Sequence, residues 1–244
     1  EPASVLLARI LKERRRRWEE AELARMKKAG KPPKDDAWKS KYQDPEAPDT
    51  SKLPPLPEGW CWATMAALIA DGPQNGLYVP QSRYGDGFPI LRIDDFQAVS
   101  SRSSHELQRV AIPDSDADHY ALRDGDMVIN RVNSMTHLGK ALAIEGRHRP
   151  AVFESNMMRF SLARGVEPRY LWAYLCSSDG KGRLTKNAKW AVNQASINQK
   201  DVAACAVPLP PIEEQPRILS ELDRLLSAVA ATSDSTLRNQ LRCQ

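Results

Sequence analysis

Long apolar runs, paired cysteines and catalytic signatures are all missing from this 244-residue sequence, and each absence removes a class of function. No stretch approaches the roughly 20 apolar residues needed to cross a bilayer, and no signal peptide opens the chain. The four cysteines, Cys61, Cys176, Cys205 and Cys243, are scattered, with no CxxC pair and no histidine cluster nearby. That spacing argues against zinc and disulfides and points to reduced thiols in a cytoplasmic protein. His105, His119 and His148 stand apart among charged loops, without ligand spacing, and are read as surface residues. There is no GxGxxG after a strand, no phosphate-binding loop, no GxSxG and no HExxH. Asp94, Asp95, Asp114, Asp116 and Asp118 invite a metal-dependent nuclease, but Asp94-Asp95 lacks an E-x-K partner and the later group reads as a solvated loop. The sequence therefore predicts no catalytic residue, no metal and no cofactor of its own.

What is present is charge. Hydrophobic residues make up 41% and charged residues 27%, with a mean hydropathy of −0.53, so part of the chain is expected to be solvated or to lie on a partner. The formal charge of +4 permits nucleic-acid binding without demonstrating it. The chain begins with Glu1 rather than Met and stops at Gln244 without a helix cap, as an internal piece of a longer protein would.

Composition divides the chain into four parts. Residues 1–30 read as a basic helix, opened by Pro2 and closed by Gly30, with the run Arg14-Arg15-Arg16-Arg17 set among glutamates. Its exposed face suits either i,i+4 charge pairs or a partner, with Arg14, Arg15 and Trp18 as the partner-facing candidates. Residues 31–56 form a proline-rich linker, in which Trp38 and Tyr42 are expected to anchor onto another surface. Residues 57–207 hold short apolar runs at 88–93, 127–132, 141–144 and 158–162, then a helical segment at 168–177, which together predict an α+β domain. Residues 208–244 break at Pro208-Leu209-Pro210-Pro211 and continue as a second long helix. Ile218, Leu222, Leu225 and Val229 alternate there by four and three, as in a coiled coil that meets another helix.

Five segments resemble one family. GFPILRI at 87–93, LRDGDMVINRVNSMTHLGK at 122–140, FESNMMR at 153–159 and NQASINQKDV at 193–202 follow in the order seen in type I restriction-modification specificity subunits. VPLPPIEEQPRI at 207–218 is similar to the junction that opens their conserved spacer helix, and the N-terminal helix is similar to the region after their central conserved helix. The resemblance implies a second target-recognition domain with pieces of its spacer helices. It implies double-stranded DNA as ligand, modification (methyltransferase) subunits as partners, and restriction subunits reached through the complex. S-adenosylmethionine and ATP with magnesium are implied only on those partners. The partner methyltransferases carry an Asn-Pro-Pro-Phe/Tyr type motif, which this chain lacks.

Side chains able to match base edges or hold phosphates gather in three segments. The first offers Gln81, Arg83 and Tyr84, after Gly76 and Tyr78. The second offers Arg131, Asn133 and Ser134, of which Arg131 also suits a framework role. The third combines Lys186, Lys189, Trp190, Asn193, Gln194 and Asn198, with the alternative that Ser196 caps a short helix. A scaffold that docks other subunits without reading DNA stays open at this point, as does a homodimer that pairs its helices between copies.

Overall fold

The computed structural model describes residues 1–97, 100–191 and 194–242, with side chains as far as Val229. Helix α1 (Ala3–Lys28) stops where Gly30 adopts φ +68°, a conformation cheap only for glycine, so that the Lys31 N–H reaches the Met26 carbonyl at 3.0 Å. Only its first turns bury apolar side chains, those of Ala3, Leu6 and Ile10. Beyond them Arg15–Glu19, Arg17–Glu13 and Arg25–Glu22 pair three or four residues apart in solvent and contribute little to stability.

Residues 31–56 are not a free linker. A single 3-10 turn (Ala37–Lys41) lays Trp38 and Tyr42 against Trp18 of α1, with ring centroids 6.0 and 5.4 Å away. The Trp62 indole N–H donates to the Pro54 carbonyl at 3.2 Å, and the Thr64 hydroxyl to the Glu46 carbonyl at 2.9 Å. The two aromatics expected to anchor elsewhere therefore anchor inside the chain, because stacking on Trp18 shields apolar rings that this charged stretch cannot cover locally.

The domain proper begins with β1 (Cys61–Thr64), α2 (Met65–Leu68), β2 (Ile69–Asn75) and β3 (Tyr84–Leu91). Next come β4 (Arg109–Val110), α3 (Asp114–His119), β5 (Met127–Asn130), β6 (Val132–Asn133), β7 (Ala141–Ala143), β8 (Val152–Phe153) and β9 (Met157–Leu162). Helices α4 (Pro168–Cys176) and α5 (Ser178–Leu184) lead to β10 (Lys189–Ala191), β11 (Gln194–Ser196), α6 (Gln199–Ala204), β12 (Ala206–Leu209) and the long α7 (Glu214–Arg242). This is the mixed α+β architecture that the sequence predicts.

Its centre is an antiparallel sheet in the order β2-β9-β5-β7. Side chains alternate across a strand, and here both faces are covered. Met127, Ile129, Ala141, Met158 and Phe160 enter a core shared with α1, α2 and α4, whereas Val128, Leu142 and Met157 enter a second core with Leu91, Phe96 and Phe153. Double burial is why these strands read as unbroken apolar runs rather than as alternating ones.

One charge cluster interrupts the second face. Arg159, 6% exposed at its side chain, donates to Asp126 at 3.2 Å, Asp71 at 3.1 Å and Gln74 at 2.8 Å. Asp126 also accepts from the Arg123 N–H at 2.8 Å, which closes the turn that launches β5. His148, read as a surface residue, is fully buried. The Glu145 N–H donates to its Nδ1 at 2.9 Å, so Nε2 carries the proton and donates to the Ser101 hydroxyl at 2.9 Å. Charged neighbours in sequence hid this, since a tight turn bends the ring inward.

Two outcomes follow. Arg159→Met should cost about 3–5 kcal/mol in urea unfolding by stranding the buried Asp126 carboxylate, and the double change Arg159→Met, Asp126→Leu should recover part of that loss. Burial, with the Arg147 charge beside it, pushes the His148 pKa below the ordinary histidine value of 6.5. The unfolded chain thus binds the proton first, so this contribution is complete above about pH 6.5 and is lost as pH falls toward the folded pKa. His148→Gln should flatten stability measured between about pH 7 and pH 5; an unchanged slope would remove His148 as its source.

Candidate nucleic-acid interface

Where β5 ends, the chain turns through Asn130 and Arg131 onto a small sheet that joins two of the three polar segments. Strand β11 pairs with β6, Ala195 opposite Asn133 and Ser196 opposite Val132, while β10 pairs with the other edge of β11, Trp190 opposite Ala195. The Ile197 N–H donates to the Arg131 carbonyl at 2.9 Å, and the Arg131 guanidinium holds the Ser155 carbonyl at 3.1 Å. The first segment enters at the same end of the central sheet. Asn75 lies opposite Met158, and the Gly76 N–H donates to the Met157 carbonyl at 3.0 Å. A Cβ on Gly76 would lie 2.1 Å from the Glu154 carbonyl oxygen, so only glycine permits this approach. Gln199 ties the opposite flank by donating to the Pro73 carbonyl at 2.7 Å.

Segments far apart in sequence thus meet at one end of the central sheet. Gln81, Arg83, Lys186, Lys189, Trp190 and Gln194 are all exposed. Trp190 is 72% exposed and Tyr78 77%, unusual for large rings in a chain this size. Cations, amides and two presented rings are the groups that phosphates and base edges call for. Asn193 lies outside the described residues.

Other candidates make contacts within the chain. Tyr84 is half-buried beneath the Arg92 guanidinium, which sits 5.7 Å from its ring. Asn133 accepts from the Ser134 N–H at 2.8 Å, and the Ser134 hydroxyl lies 3.0 Å from His137 Nδ1. The Asn198 Oδ1 accepts from the N–H groups of Lys200 and Asp201, capping α6 with Asp201 as the reciprocal partner. Ser196, the expected cap, instead lies in β11.

The helix positions divide as well. Arg14, assigned to a partner, donates to the Ile69 carbonyl at 2.7 Å, because the passage from α2 to β2 leaves that acceptor facing α1. Arg15 pairs with Glu19, and Trp18 packs on Trp38 and Tyr42. On α7, Leu219 is buried and Asp223 bridges to Arg169 of α4 at 2.8 Å; Ile218 and Leu222 are half-buried, while Leu225 and Val229 are 48% and 64% exposed.

Asn198→Ala should lower stability by about 1 kcal/mol through the lost cap, whereas Trp190→Ala should stay within about 0.5 kcal/mol of the parent in the same thermal unfolding experiment. A large destabilisation by Trp190→Ala would mean that the ring packs rather than presents itself.

Comparison with known proteins identifies the family and the fold. The model of the type I restriction modification DNA specificity domain matches residues 118–241. A putative type I restriction enzyme MjaX specificity subunit from Methanocaldococcus jannaschii is 31% identical over 182 residues, covering 71% of this chain and 42% of that protein. The type I restriction enzyme EcoKI specificity subunit of Escherichia coli K12 is 26% identical over 170 residues, covering 69% and 36%. The chain thus spans less than half the length of these curated relatives. Among solved structures, a chain from a study of complex assembly and conformational transition in a type I R-M system superposes with a TM-score of 0.56 at 21% identity, covering 94% of this chain and 50% of that one. The HsdS subunit from Thermoanaerobacter tengcongensis gives 0.54 at 19% identity, covering 75% and 46%. At those identities the likeness concerns the fold.

Proposed function

Because this chain belongs to the type I restriction modification DNA specificity domain family, we propose that it reads one half of a split DNA site and directs partner subunits to it. The observation that carries this reading is the β10–β11 hairpin, which holds Lys189, Trp190 and Gln194 in solvent while its far edge is hydrogen-bonded to β6. Lys186 and Lys189 hold phosphates and set the register; Gln194, Gln81 and Arg83 face base edges, where an amide matches adenine and a guanidinium matches guanine. Trp190 lies against sugar or base. The rigid sheet behind these side chains fixes their spacing, and substitutions at the tips change the bases read without disturbing the cores.

The chain supplies no catalytic group in this reading. Adenine methylation with S-adenosylmethionine and ATP-driven cleavage belong to modification and restriction subunits. Helix α7 docks the modification subunits through Ile218, Leu222, Leu225 and Val229, an apolar stripe only partly covered by α4.

Lys189→Ala with Trp190→Ala should weaken duplex binding and reduce the slope of log K against log salt by about one for the lost phosphate contact. Unchanged affinity and slope would remove the hairpin from the interface. Mapping methylated adenines after exchanging residues 57–207 for another recognition domain should alter one half of a bipartite motif and spare the other. An unaltered motif would leave a docking scaffold as the better account.

A further inference from the structure

Between α1 and the body of the domain runs a groove of about 1060 Å³, at the upper end of the roughly 300–1,000 Å³ typical of ligand clefts. Its walls carry Arg9, Arg14, Arg16, Arg17, Lys41 and Arg164 against a single carboxylate, Glu13. Glu13 is already engaged: Arg16 and Arg17 both donate to it, at 2.6 and 2.9 Å, and these bonds hold its pKa at about 2. Arg16 also pairs with Glu20, and Arg9 with Glu1 at 3.4 Å, both from outside the groove. Arg14 is tied to the Ile69 carbonyl. Lys41 and Arg164 are exposed and make no side-chain hydrogen bond or close ion pair among the described residues, although Lys41 lies near enough to the Glu22 carboxylate to help lower its pKa. The cations come from α1, the 3-10 turn after it and the β9–α4 loop, so only the folded chain assembles them. Beneath them the lining is apolar: Ile10, Ala67 and Ile69 are buried, and half-buried Ile212, Trp18 and Tyr42 with exposed Ala70 leave apolar carbon open to the groove.

Charge alone would suit a phosphodiester backbone or a row of carboxylates. The floor separates the two, because a phosphate chain offers nothing to cover aliphatic carbon, while an amphipathic peptide does. Position agrees. The groove lies where Ile69 pairs with Leu162, and the hairpin face opens at the other end of the same strand pair, where Asn75 meets Met158, four residues of β9 or roughly 13 Å away. We propose that this groove binds an acidic amphipathic segment of a partner protein, with its aliphatic side chains on the floor and its carboxylates on the surrounding arginines and lysine.

The test uses the whole chain and a labelled synthetic helix of about 15 residues, with leucines on one face and glutamates flanking them, followed by fluorescence anisotropy. Binding should weaken about tenfold in the double variant Lys41→Glu, Arg164→Glu, while Arg164→Lys keeps it. The double variant should in turn gain affinity for the same helix with lysines in place of the glutamates. A scrambled peptide of identical composition should bind at least about tenfold more weakly, since it cannot present leucines and glutamates together. The proposal is overturned if the scrambled peptide, inorganic phosphate or a DNA duplex competes as well as the helix, or if charge reversal leaves binding unchanged. Lys189→Ala with Trp190→Ala should spare peptide binding, so failure at the groove and failure of the DNA reading give different patterns.

Discussion

The two-stranded ribbon of β1 and β12 joins residues almost 150 positions apart, and the junction around it governs the rest of the structure. Just past β12, the Glu214 carboxylate accepts from the Trp60 indole, and Gln215, 1% exposed, uses both ends of its amide: its oxygen takes the Glu167 N–H and its nitrogen donates to the Gly165 carbonyl. The Ala3 N–H reaches the Gly59 carbonyl at the same place. Four separate stretches of chain are thereby held at one point: the start of α1, the entry to β1, the loop before α4 and the start of α7. Each would otherwise leave buried backbone groups unpaired, at a cost of roughly 1–3 kcal/mol apiece.

From that junction the central sheet acts as a rigid spacer. Burial on both faces prevents a one-residue slip, since any slip would exchange the contents of the two cores and drive Arg159 into the wrong one. The ends of β2, β5 and β9 are accordingly well placed, and the polar loops and the hairpin inherit their positions from them. The proposed reading of bases depends on this stiffness, because a base edge tolerates little error in the direction of a hydrogen bond.

The same sheet keeps two charged surfaces apart. At one end are Lys189, Trp190 and Gln194 on the β10–β11 pair; at the other are arginines lining a partly apolar groove. The net charge of +4 is too small to announce either surface. Glutamates on α1 neutralise most of its arginines within a turn, which leaves the local excess visible only where Lys41 and Arg164 join it from elsewhere.

What the sequence alone determined was local. Helix ends were legible because their signals are short-range: Gly30 after α1 and Pro168 at the start of α4 act within a single turn. The inner strands were legible because double burial demands continuous apolar residues. The VPLPPIEEQPRI segment was legible as a family mark, and the structure supplies its physical content, with Leu209 in the ribbon and Glu214 and Gln215 satisfying groups on distant loops. Tertiary structure alone decided the rest. Strands β10 and β11 form from a polar stretch because β6, just over 60 residues before its partners in β11, offers an edge. Trp38 and Tyr42 face α1, His148 is buried, Asn198 caps a helix and six cations share one groove, since each outcome depends on partners that no local window contains. A helix end is settled by neighbours within four residues; a buried donor or a shared groove is settled only when the whole chain has closed around it.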